Sequence, residues 1–364
     1  MRVGIDVRPL VMNPAGIGRY TRELVEHLER DKYEYILYSN NNISLYNSKN
    51  VSIRVIKYNG ILWHVAVFFD LLLKKVDLYH STHSLLLPIF LPIPTVLTIH
   101  DVTGMHFPET HTIKVRTLQA FLLKTAVKRA KAILVPSERV RKELSLIESS
   151  VLPKIFVIPE GVSSRFFQRL PQVQVSEALK RLEIRGEYLL SVSTIEPRKN
   201  LKRLIEAFHL LLQIEPKSLL VIAGKVGWRS KAVFSLVQSR GLQQRIIFTG
   251  YLSEEDLSAV YQGAKLFIFP SLSEGFGLPP LEAMAEGIPC LISETTALPE
   301  IRKMKAALFF DPYSVSDIVE KIKIAWRDEQ LLTTLAKTGK TVARMYSWEK
   351  MAHETTSVYQ KVEE

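Results

Sequence analysis

Two glutamates, Glu274 and Glu282, stand in the stretch PSLSEGFGLPPLEAMAEG (270–287) with seven residues between them, glycines and a proline pair included. KLFIFPS reads as a buried strand, LSEGFG as a loop, and PPLEAMAEG as a helix that starts at its prolines and stops at Gly287. Glu274 is therefore expected at a strand end and Glu282 in the first helical turn. Gly275 and Gly277 would let backbone approach a ligand closely, and the open N–H groups of a helix start suit phosphate oxygens. A tight turn and a dipole-complementing carboxylate would explain either feature alone. Together, two hydrogen-bond-accepting carboxylates flanking a phosphate-sized nest suit a nucleotide sugar, which carries one sugar on each side of its diphosphate.

A second stretch, STIEPRKNL (193–201), sets Arg198 and Lys199 after a strand, with Asn200 as the expected N-cap of the next helix. A guanidinium and an ammonium there would neutralise a leaving diphosphate without a metal. AGIGRY places Gly16 and Gly18 after the first strand. It is half of a dinucleotide fingerprint without the full glycine spacing or a later acidic partner, which disfavours NAD; a tight turn is the plain alternative. TVLTIHD ends a strand on His100 and Asp101, a position that favours a site role for His100, whereas His80 and His83 read as satisfied core or loop groups. Asp6 and Ser137 end other strands and receive no role.

The elements that must hold these residues alternate. MRVGIDV, YEYILYS, VSIRVIKY, VDLYHS, TVLTIH, AILVPS and KIFVIPEG read as strands, with helices expected near 61–75, 112–130 and 137–147. After a polar stretch, QRLPQVQVSEA (168–178), alternation restarts at EYLLSVST and runs to PCLIS. The expectation is α/β architecture: an N-terminal Rossmann-like domain over 1–168 and a second over 169–346, both doubly wound, with 347–364 as a helix returning to the first. In such folds ligands gather outside the carboxyl ends of the strands, here expected to face a cleft between domains.

The 364 residues, 47% of them apolar, suffice for two cores. The single cysteine, Cys290, forms no internal disulfide, and residues 1–9 lack signal-peptide features, so a cytoplasmic protein is expected. LLLPIFLPIPTVL and ILWHVAVFFDLLL fall short of the ~20 apolar residues that span a bilayer. The net charge of +11 is uneven: residues 1–170 hold 23 Lys/Arg against 14 Asp/Glu. Such a field suits nucleic acid, anionic lipid or a phosphorylated substrate, and no RNA-binding, zinc or helix-turn-helix pattern supports the first.

Taken in order, GIGRYTRELVEHL, TIHDVTGMHFPE, VPSERVRKEL, VIPEGV, STIEPRKNL, VIAGKVGW, FTGYLSEEDLSAVYQGAKLFIFPSLSEGFGLPPLEAMAEGIP and ALPEI resemble the retaining glycosyltransferases of family 4, with the GT-B fold. The resemblance implies that Glu274 contacts the transferred sugar and Glu282 the donor ribose. It implies that backbone around Gly275, Phe276, Gly277 and Leu278 meets the sugar and phosphates, and that Arg198 and Lys199 hold the diphosphate. Gly16 and Gly18 match the glycine loop that closes over the diphosphate, His100 the histidine near the reactive carbon, and Tyr251 the place where the base packs. Ser193 departs from the arginine of some relatives. Transfer without a metal or cofactor is implied, most like bacterial mannosyltransferases of polysaccharide assembly using GDP-mannose. The acceptor would be a glycan or lipid-linked glycan, with 61–75 and the basic residues Lys114, Arg116, Lys124, Lys128 and Arg129 resting on an anionic membrane. Alternatives are a UDP- or ADP-sugar donor, an epimerase of the same fold, or a non-enzymatic binder of nucleic acid or lipid.

Overall fold

The computed structural model describes residues 1–12, 16–43, 50–102, 113–296 and 298–364, with backbone alone for Met12 and 113–119. The chain forms two compact units, Met1–Gly161 with Ser347–Glu364, and Val162–Tyr346.

In the first unit the described strands are β1 (Arg2–Asp6), β2 (Glu34–Ser39), β3 (Val51–Val55), β4 (Leu78–Ser81), β5 (Thr95–Thr98), β6 (Ala132–Val135) and β7 (Ile155–Val157). Its helices are α1 (Pro9–Met12), α2 (Ile17–Glu26), α3 (Gly60–Leu73), α4 (Leu86–Phe90), α5 (Ile113–Arg129) and α6 (Glu138–Ile147). The second unit holds α7 (Gln172–Arg181), β8 (Tyr188–Val192), α8 (Leu201–Leu211), β9 (Leu219–Ala223), α9 (Lys231–Ser239), β10 (Ile246–Gly250) and α10 (Glu254–Gln262). It continues with β11 (Leu266–Phe269), α11 (Leu278–Glu286), β12 (Cys290–Ser293), α12 (Pro299–Lys303), β13 (Leu308–Phe310), α13 (Val315–Arg327) and α14 (Glu329–Ala343); α15 (Trp348–Glu363) then belongs to the first unit.

Both sheets are parallel, in the orders β3-β2-β1-β4-β5-β6-β7 and β10-β9-β8-β11-β12-β13. Central strands such as LLVIA and LFIF are buried along their whole length because helices cover both faces, whereas edge strand β3 alternates. In β11, Phe267 and Phe269 join one core while Leu266 and Ile268 join the other, the two-residue period of a strand. Each order reverses once, between β1 and β4 and between β8 and β11, and ligand crevices of open α/β sheets lie at such switch points.

The polar stretch 168–178 is not an open linker. Pro171 precedes α7, and Val175 and Ala178, one turn apart, bury a narrow apolar stripe that holds the helix to its unit. Among the described residues no helix is long and apolar enough to cross a membrane.

Candidate active site

The β8/β11 switch point gathers the acidic and basic candidates. Glu274, in the loop after β11, accepts hydrogen bonds from Arg198 Nη1 at 2.8 Å and Lys199 Nζ at 2.6 Å. Arg198 also donates to the Ser273 carbonyl at 2.7 Å and, through Nε, to Glu196 at 3.1 Å. The two cations sit on a 3-10 turn, Pro197–Lys199, and the Leu272 N–H closes on the Arg198 carbonyl at 2.9 Å, which laces the two strand-end loops together. Burial pushes the Glu274 carboxyl up, but Lys199 and then Arg198 outweigh it and hold it below its ordinary value. The site thus keeps an ionised carboxylate inside a cationic clamp.

Asn200 does not cap α8. Its backbone is left-handed (φ 57°), and its side-chain amide donates to the carbonyls of Pro270 (3.1 Å) and Pro312 (2.7 Å). The turn at 197–199 delivers the chain to α8 in a geometry that aims this side chain across the sheet's end rather than at the helix.

Helix α11 begins at Leu278, one residue before the proline pair, with Gly277 at φ 104° in the left-handed region. Glu282 therefore lies in the second turn, buried, where it accepts a hydrogen bond from Tyr261 Oη at 3.0 Å. The dipole of a helix acts within its first turn, so it does not account for a carboxylate placed there. Phe276 is buried edge-on against Tyr346, with ring centroids 5.6 Å apart. Gly287 closes the helix in the left-handed region. Tyr251, just beyond β10, is exposed, and Lys225 Nζ lies 5.3 Å from its ring centroid. Ser193 Oγ is buried with no hydrogen-bond partner.

In the first unit His100 follows β5 and is held at both ring nitrogens. Nε2 donates to the Thr82 carbonyl at 2.9 Å, and Nδ1 lies 3.4 Å from Glu160 Oε1. Tyr20 stands edge-on to the imidazole at 4.7 Å. Gly16 is the left-handed N-terminal cap of α2, whereas Gly18 lies within its first turn, not in a loop. Asp6 is buried against Arg8 at 2.7 Å, and Ser137 caps α6 by accepting from the Val140 N–H. His80 is buried between Tyr359 Oη (2.6 Å) and Thr98 Oγ1 (2.7 Å), and burial lowers its pKa to about 3. Lys124 and Lys128 of α5 both pair with Glu148, at 3.4 and 3.0 Å. The side chains of Lys114 and Arg116 lie outside the described residues.

The family model "Glycosyltransferase Family 4" matches residues 14–166 and "Glycosyl transferases group 1" matches 175–342. The chain is 32% identical over 267 residues to the O-antigen chain mannosyltransferase B of Escherichia coli, covering 72% of this chain and 69% of that protein. The chain belongs to the family 4 glycosyltransferases. This glycosyltransferase is also 33% identical over 267 residues to the serotype-specific mannosyltransferase WbdA of the same organism, of which it spans only 33%. Its fold matches sucrose-phosphate synthase of Thermosynechococcus elongatus, with TM-score 0.81, 19% identity, and coverage of 100% of this chain and 99% of that one. The fold of the glycosyltransferase is GT-B, built of two Rossmann-like domains.

Three neighbours of the expected residues carry no motif in the sequence: Glu160 beside His100, Glu196 beside Arg198, and Lys225 beside Tyr251. Glu160 stands in VIPEGV three residues past the end of β7, and its place after a strand is the available signal. Glu196 and Lys225 are two among many surface-type charges until the sheet places them.

Proposed function

We propose that this glycosyltransferase moves a mannosyl group from GDP-mannose to a glycan or lipid-linked glycan, with retention, in the assembly of a cell-surface polysaccharide. The observation that carries the donor site is the part-buried Glu274 carboxylate between Arg198 and Lys199 at the sheet's switch point. The mannosyltransferase relatives support the sugar.

In this reading Arg198 and Lys199 hold the diphosphate, and Glu274 orients the sugar's hydroxyls. The N–H groups at the start of α11, around Gly275 to Leu278, meet the phosphates. Glu282 accepts the ribose hydroxyls, and Tyr251 stacks on the base. The bond from the anomeric carbon to the diphosphate breaks as that carbon develops oxocarbenium character, which cations at the leaving group stabilise. The acceptor hydroxyl adds on the same face, and its proton passes to the leaving diphosphate oxygen. His100, held at both ring nitrogens within the first unit, is the histidine that the family resemblance assigns to the reaction. No metal or cofactor is required by this scheme. A lipid-linked acceptor would bring the enzyme to the inner face of the cell membrane.

The test is a thermal-shift panel with GDP, UDP, ADP and their sugar conjugates. A ligand at 100 times its dissociation constant stabilises by ~2.7 kcal/mol. A selective rise with GDP and GDP-mannose supports the proposal. A rise with UDP or ADP compounds overturns the mannosyl donor, and no rise with any of them overturns the donor site.

A further inference from the structure

Glu160 is a buried carboxylate, 8% exposed, and among the described residues its one ion-pair partner is His100, whose Nδ1 lies 3.4 Å from Oε1. Taking a carboxylate out of water is costly unless it is paired, so its place beside the imidazole calls for a reason. The backbone around it has little freedom. The Ile158 N–H donates to the Val135 carbonyl at 2.9 Å, and a β-carbon on Gly161 would strike the backbone of Ser347 and Trp348. Glu160 sits between those two anchors, which deliver its side chain to one place.

The other ring nitrogen is held as firmly. Nε2 lies 2.9 Å from the Thr82 carbonyl, which can only accept, so Nε2 carries a proton. A bare Nδ1 would then set its lone pair against a carboxylate oxygen, acceptor against acceptor, whereas a protonated Nδ1 donates to it. Tyr20 walls the ring, edge-on with centroids 4.7 Å apart. Its hydroxyl is 3.2 Å from Thr98 Oγ1, which is 2.7 Å from His80 Nε2, and His80 Nδ1 reaches Tyr359 Oη of α15 at 2.6 Å. Buried side chains thus fix that wall as far as the returning helix.

We propose that Glu160 is the positioning residue of His100: its carboxylate holds a proton on Nδ1 and, with the Thr82 carbonyl at Nε2, fixes both the plane and the charge of the imidazole. The inference rests on the reading of His100 as a residue of the reaction. Without the carboxylate the ring keeps one bond, pivots about Nε2, and loses the group that balances a second ring proton. Glu160→Gln separates the two effects, because an amide can donate to a bare Nδ1, so that orientation survives while the second proton is lost.

The experiment records the ring nitrogen shifts of the full chain, labelled at histidine, by NMR near neutral pH, with His100→Ala assigning the signal. Wild type should show both His100 nitrogens protonated, and Glu160→Gln a bare Nδ1. Turnover is read as nucleoside diphosphate released from the donor that thermal shift selects, with octyl mannoside or water as acceptor. Glu160→Gln should lower kcat about tenfold or more while KM for the donor changes less than about twofold. In a His100→Ala background the same substitution should add nothing, because Glu160 acts through that ring. Thermal unfolding of each variant reports folding, and the wild-type spectrum needs no variant. A bare Nδ1 in wild type, wild-type kcat in Glu160→Gln, or losses that add in the double variant would each overturn the inference. Full turnover by His100→Ala would overturn the reading of His100 and this inference with it, whereas impaired His100→Ala beside unimpaired Glu160→Gln overturns this inference alone.

Discussion

At the residue scale the site rests on one carboxylate. Glu274 neutralises part of the charge of Arg198 and Lys199, the pair assigned to the diphosphate. Glu274→Gln should therefore cut transfer by about 10²-fold or more while the protein binds nucleoside diphosphate at least as tightly as wild type. Steady-state kinetics beside calorimetric titration with GDP checks both parts, and full transfer activity would remove the assigned role. The same pairing is expected in the pH dependence of stability. A carboxyl whose folded pKa lies below its ordinary 4.5 contributes stability above that pH and loses it as pH falls through the folded value. Denaturation midpoints measured below pH 4.5 should fall less steeply for Glu274→Gln.

At the scale of elements, α11 carries a second buried acid, Glu286, at its far end. It accepts from Ser258 Oγ and, at 2.8 Å, from Gln262 Nε2, and Gln262 in turn holds the Gln168 carbonyl and the Leu170 N–H. Burial raises the Glu286 pKa to about 7. The folded protein then holds this proton where the unfolded chain has released it, so stability falls as pH rises from the ordinary 4.5 toward 7. Glu286→Gln, which cannot ionise, should raise the melting temperature relative to wild type more at pH 8 than at pH 5. Asn200 ties two strand-end loops through its bonds to Pro270 and Pro312. Asn200→Ala should cost about 1–3 kcal/mol by leaving buried carbonyls unpaired. Urea unfolding measures it, and a neutral result would show those loops are held otherwise.

At the scale of the whole molecule, the chain leaves its first unit after Gly161 and returns at Ser347. The two passages run side by side: Val162 N–H donates to the Tyr346 carbonyl at 3.2 Å, and a β-carbon on Gly161 would strike the backbone of Ser347 and Trp348. Because the obstacle is backbone rather than a flexible side-chain end, Gly161→Ala should destabilise by about 1–3 kcal/mol. Equilibrium unfolding followed by Trp fluorescence would detect it, Trp348 being buried beside the substitution.

Much of the architecture was legible in the sequence because parallel strands buried on both faces must be apolar throughout, and runs such as LLVIA and LFIF have no other use. Turn chemistry was legible for the same local reason: Gly277 and Gly287 mark left-handed backbone that side chains disfavour. Adjacent motifs on one chain, Arg198 with Lys199 and Glu274 with Gly277, announced a phosphate-and-sugar chemistry before any contact was known. What the tertiary structure decided was partnership. Strand order brings β8 beside β11, and only then do residues 75 and 76 apart in sequence make the clamp around Glu274. It decided that Asn200 braces loops instead of capping, that Glu282 lies past the helix's first turn, and that Glu148 ties down Lys124 and Lys128. The reason is common to all of them: periodicity and turn preference act over a few residues, whereas hydrogen-bond partners across a sheet are set by how the strands are ordered.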